Sequence, residues 1–167
     1  IRAFQHSDND LLTFESDHQV DQSTTQFKAG AKLHELGACN NCHFYGTEFP
    51  KQGAQTWAPN MALTKERLQP AWVIEWMRDP QNIMPGTKMP APFLPDKELL
   101  QLPGAASDWG KYVLEVGGDK EAMLAGLRDY VYSIKGKTDI TSEIQSYFKK
   151  NGYEFESDEE DEEDEDW

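Results

Sequence analysis

Apolar residues recur at helical spacing in several stretches of this chain, and polar or proline-rich segments separate them. From Thr24 or Thr25 to Leu36, Phe27, Ala31 and Leu33 or His34 share one helical face. Thr is an acceptable N-cap there and Gly37 a stop. Gly46, Pro50, Gly53 and Pro59 mark residues 44–60 as loop. A second helix is predicted from about Thr64 to Arg78, breaking near Pro70. Its pairs Trp72/Trp76 and Val73/Met77 are each four apart and form one apolar edge. Pro80, Pro85, Pro90, Pro92 and Pro95 forbid regular structure over 79–95. Short helices are expected at Asp96–Leu102, Asp108–Val116 and Ile140–Lys149. The strongest helix is Lys120–Lys135, with Met123, Leu127, Tyr130, Val131 and Ile134 on one face. No internal repeat and no strand beyond a stray pair is expected, so the fold class is mainly α.

The ends read differently. Residues 1–23 are polar and aperiodic, an arm or tether without a helical stripe. The chain begins Ile1-Arg2-Ala3-Phe4, with no basic start or apolar run, and reads as a mature product or a piece of a longer one. No stretch approaches the ~20 apolar residues of a membrane span. The 167 residues carry a formal net charge of -14. Nine of those charges form the unbroken run Asp158–Asp166, which leaves -5 on the rest. Residues 151–167 therefore read as an acidic tail with nothing to bury, disordered in the free protein. This balance excludes nucleic acid, which needs clustered Lys and Arg, and suits a basic protein partner. The tail fits either a solubilising role or one that steers such a partner.

The chemistry centres on Cys39-Asn40-Asn41-Cys42-His43, which holds both cysteines of the chain. Two thiols with two residues between them can add to the two vinyl groups of one haem, and the next residue, His, can ligate the iron from one face. A zinc site would need a second ligand pair, which His6, His18 and His34 do not offer. A thioredoxin-like pair would need a βαβ setting. A plain disulfide is the remaining alternative.

Downstream stands Ile83-Met84-Pro85-Gly86-Thr87-Lys88-Met89-Pro90. With the helix before the haem motif, Pro59, and a closing helix containing Leu127-x-x-Tyr130, this order resembles class I cytochromes c over about Phe27 to Lys135. The resemblance implies a cytochrome c fold, with helices wrapped around one covalently bound haem c and irregular loops. It implies His43 and Met89 as axial ligands, Met84 being the competitor and Met61 and Met77 more remote ones. A thioether favours ferrous iron and raises the potential. Pro59 stands where the family places a carbonyl that accepts the proximal imidazole N–H. Trp76 resembles a family Trp that reaches a haem propionate, although Trp72 and Trp76 read equally well as core aromatics. Arg67 and Arg78 are candidates for screening propionates, against the usual fate of a solvated Arg.

On this reading the domains are an arm over 1–23, a cytochrome c domain over 24–150 with an insertion at about 96–119, and the tail. The expected function is electron transfer rather than enzymatic catalysis. The chain would act as a carrier or as the cytochrome subunit of a membrane-associated respiratory complex. Its place would be the periplasm or the outer face of a bacterial cytoplasmic membrane, where covalent haem attachment occurs. Its partners would be redox proteins with a basic docking face. Alternatives are a haem enzyme or gas sensor with a labile sixth ligand, and an interaction domain in which haem only aids folding.

Overall fold

The computed structural model describes residues 18–153, so most of the arm and most of the acidic tail lie outside the described residues. Among these residues the chain is mainly helical, with two isolated β-bridges and no strand. Helix α1 spans Thr25–Leu36. It starts because Thr24 Oγ1 accepts the Phe27 N–H at 3.1 Å, a cap worth about 1 kcal/mol. It stops at Gly37, whose N–H closes on the Leu33 carbonyl at 2.8 Å. The predicted helix over 64–78 is two helices, α2 (Thr64–Arg67) and α3 (Pro70–Arg78), parted by extended Leu68 and Gln69. Pro70 forces this break and then opens α3, since the first helical turn needs no N–H there.

The same rule produces a difference from the sequence expectation. Residues 79–95 hold one helical turn, α4 (Pro80–Ile83), with Pro80 in its first turn and Asp79 Oδ1 accepting the Asn82 N–H at 3.2 Å. Helix α5 (Lys97–Leu100) is capped by Asp96. The helix expected at 108–116 is divided into α6 (Ala105–Trp109) and α7 (Lys111–Val116) by Gly110, whose φ of 78° ends one and begins the other. Helices α8 (Lys120–Ser133) and α9 (Thr141–Lys150) complete the order.

The core forms where α1 crosses α8. A Cβ on Gly30 would stand 2.1 Å from the Gly126 carbonyl carbon, so only glycine permits this approach. The crossing selects the buried face of α1. Ala29, Gly30, Leu33 and His34 are buried, while Phe27 and Ala31 sit at its margin. Val73 and Met77 of α3, Val113 of α7, and Met123, Leu124, Leu127 and Val131 of α8 close the cluster. Two residues of the expected arm belong to this unit. His18 Nε2 lies 2.7 Å from Asp129 Oδ1, and Val20 packs against the core.

Helix α9 has no buried residue. It adheres through rings: Tyr147 stacks on Phe49 at 5.3 Å and meets Trp57 at 4.9 Å, and Phe148 meets Trp57 at 5.6 Å. No helix among the described residues is long and apolar enough to cross a membrane.

Candidate functional site

The site begins at the end of α1. Ala38 is the one non-glycine residue at positive φ among the described residues, at 50°, and it turns the chain sharply out of the helix. Cys39–Asn41 then forms a single tight turn. The Cys39 carbonyl accepts both the Cys42 N–H at 3.2 Å and the His43 N–H at 3.0 Å. This winding keeps Cys39, Cys42 and His43 within a single turn of backbone. The cysteines are not joined in a disulfide. Burial pushes the Cys39 thiol above its ordinary pKa, and the Cys42 thiol lies 3.7 Å from Gln52 Oε1.

The loop over 44–60 doubles back along this turn. Asn40, Asn41 and Cys42 carbonyls accept from Lys51, Gln52 and Ala58 at 3.1, 2.9 and 2.8 Å. Doubling back brings the Pro59 carbonyl to 2.7 Å from His43 Nδ1. A carbonyl only accepts, so Nδ1 carries the proton and donates it. Burial lowers the His43 pKa, which the Pro59 bond partly opposes. The ring is therefore a neutral tautomer whose lone pair resides on Nε2, the form in which histidine binds a metal.

A buried side chain invisible to motif reasoning holds the loop. Asn60 Oδ1 accepts from Gly46 N at 3.0 Å and Ala62 N at 3.1 Å, and its Nδ2 donates to Gly46 O at 3.2 Å and Lys137 O at 3.1 Å. A second one stands behind the turn. His34 is 6% exposed, with its Nε2 2.6 Å from the Tyr45 hydroxyl and its ring 4.7 Å from that of Tyr130. Burial, and secondarily the nearby His43, lower the His34 pKa to about 4. Burial raises that of Tyr45. Asn60 carries no spacing signal. His34 was legible only as an apolar-face histidine on α1.

The Met89 loop is held mainly by its own hydrogen bonds. Thr87 N–H bonds the Met84 carbonyl at 3.1 Å, Gln81 Oε1 accepts from Gly86 N at 3.2 Å, and Gln81 Nε2 donates to the Thr87 carbonyl. Lys88 Nζ donates to the Gln55 carbonyl at 3.2 Å, which ties this loop to the one following His43. The four candidate methionines part clearly in environment. Met84 is 58% exposed, and Met61 and Met77 are core residues at 8% and 7%. Met89 is half-buried, packed on the same apolar cluster as Cys39. The Trp76 indole N–H points to Met89 Sδ at 2.8 Å, and Trp76 stacks on Trp72 at 5.2 Å. In this structure, then, the Trp76 N–H is spent on the thioether. Arg78 is exposed and committed to Glu75 and Glu121. Arg67 is exposed.

Among the described residues no three His, Cys, Asp or Glu side chains group into a metal site. The candidate donors are two unpaired thiols, one neutral imidazole whose Nε2 makes no hydrogen bond, and one thioether that accepts from Trp76. That set fits a haem held by two thioether links and two axial ligands. No protein-family model matches the chain, and a search of curated proteins finds no relative.

Proposed function

We propose that the chain is a c-type cytochrome that passes single electrons. One haem would be held covalently by Cys39 and Cys42 and ligated by His43 Nε2 and Met89 Sδ within a cytochrome c fold. The observation that carries this reading is the 2.7 Å bond from His43 Nδ1 to the Pro59 carbonyl. It leaves Nε2 as the lone-pair nitrogen of the ring, on the residue that follows Cys42. The bound iron would supply a reversible ferric–ferrous couple.

The protein's own residues do the rest. Pro59 fixes the tautomer and orientation of His43 and makes it a better donor. Trp76 orients Met89 Sδ and draws electron density from it. The Pro-rich loop and the Lys88–Gln55 bond restrain the segment that carries the thioether. The acidic run Asp158–Asp166 favours a redox partner with a basic docking face, steering encounter more than strengthening the final complex. The periplasm or the outer face of a bacterial cytoplasmic membrane is the compartment consistent with covalent attachment.

The test is direct. The purified protein should retain haem through denaturing electrophoresis. Its ferric form should show the long-wavelength absorption band of a sulfur–iron bond, and its ferrous form should not bind carbon monoxide. Absence of covalent haem would end this reading. Covalent haem without the sulfur band, with carbon monoxide binding, would establish a haem enzyme or sensor with an open sixth position instead.

A further inference from the structure

A cleft of about 350 Å³ lies where three distant segments meet: the start of the described chain, the entry to α2, and the stretch between α8 and α9. Hydrogen bonds and packing hold these walls together. His18 meets Asp129 of α8 and Val20 packs on the core, while Asn60 accepts from the Ala62 N–H and donates to the Lys137 carbonyl. Ala62 and Tyr132 are its buried lining residues. Its exposed lining carries the ammonium groups of Lys65 and Lys135, the amides of Gln19 and Gln22, and one carboxylate, Glu66.

The charge here runs against that of the whole chain. The cleft holds two cations and one anion in a chain whose formal net charge is -14. Lys32, Lys111 and Lys137 each pair with a glutamate, whereas no ion pair among the described residues includes Lys65 or Lys135. Ammonium and amide N–H groups are donors, so the complementary ligand is an anionic acceptor. The chain itself carries a dense source of such acceptors, the nine consecutive carboxylates of Asp158–Asp166. Thr138 of the cleft lies three residues ahead of α9, whose length is about 15 Å. From Tyr153, extended chain carries Asp158 about 17 Å and Asp166 about 45 Å, enough to run back along α9 to the cleft.

We propose that the cleft holding Lys65 and Lys135 is a carboxylate-binding site whose ligand is the chain's own acidic run, Asp158–Asp166. Exposed ion pairs are individually weak, and tethering compensates by holding the ligand at roughly millimolar effective concentration. The contact therefore exchanges readily and weakens with salt. Two ammonium groups neutralise only a small part of nine carboxylates, so the bound run still presents negative charge to a basic partner. The site does not depend on haem.

The experiment treats the full-length protein with a water-soluble carbodiimide, which joins a lysine amine to a touching carboxylate without a spacer, and reads the digest by mass spectrometry. At low ionic strength, Lys65 and Lys135 should dominate the links to residues 158–166. These links should fall several-fold in ~1 M salt, where the Debye length is about 3 Å. A mixture of isotope-labelled and unlabelled protein should show them within single copies. In a chain ending at Ser157, acetylation of Lys65 and Lys135 should speed up several-fold, with that of exposed Lys120 unchanged. Links from the acidic run spread evenly over Lys51, Lys149 and Lys150 would overturn the site. So would links of the two cleft lysines to Asp21 or Glu66 alone, links only between copies, or acetylation rates indifferent to the truncation. The cross-linking needs no variant, so a truncated chain that folds poorly does not rescue the proposal.

Discussion

His34 should make this protein lose stability in mild acid. The folded ring is 6% exposed and bonded to Tyr45, and its pKa is about 4 against an ordinary 6.5. Because the folded value is depressed, the unfolded chain binds the extra proton first as pH falls. Stability from the neutral ring is complete above about pH 6.5, declines through the window from 6.5 to 4, and is gone below it. A displacement of about 2.5 units at 1.36 kcal/mol each amounts to about 3 kcal/mol. Burial is the leading cause and the nearby His43 the second, so the window should persist even where His43 carries no charge. His34→Gln keeps a polar group near Tyr45 and cannot titrate. Guanidinium unfolding of wild type and His34→Gln should be followed by tryptophan fluorescence every half unit from pH 4 to pH 7.5. The wild-type curve should fall by about 3 kcal/mol more than the variant's across that window. Parallel curves would refute the reasoning and place His34 in contact with water.

On the proposed haem reading, Met89→Ala should abolish the sulfur–iron band and lower the midpoint potential steeply, while Met84→Ala, which removes a side chain 58% exposed, should change neither; spectra and potentiometry check both. Trp76→Phe removes the donor to Met89 Sδ without removing the ring, and losing a bond worth about 1 kcal/mol should lower the potential by roughly 20–60 mV. Gly30→Ala would place a methyl 2.1 Å from the Gly126 backbone, so it should destabilise by at least about 2 kcal/mol, read by denaturant unfolding with the haem spectrum unchanged in the folded fraction.

By itself the sequence determined the helical class, the position of α1, α8 and α9, and the identity of the chemical groups. Local physics suffices for these. A threonine cap, a proline or a glycine stop acts within one turn, and the Cys39-Asn40-Asn41-Cys42-His43 spacing is itself the geometric requirement. The resemblance to class I cytochromes c pointed to Met89 over Met84, although two methionines in one proline-rich loop look alike along the chain. Only the tertiary structure gives them different surroundings: Met84 is exposed, and Met89 is half-buried against the Trp76 indole N–H. The break at Gly110 and the helical turn at Pro80 needed actual dihedral angles, which proline and glycine permit but do not dictate. Which side of α1 is buried depended on Gly126, nearly a hundred positions away, approaching Gly30. The Pro59–His43 bond, the Asn60 clamp and the cleft that holds Lys65 and Lys135 are likewise tertiary facts. Each joins or isolates groups far apart in the chain, and no local pattern of residue types records where a distant backbone will come to rest.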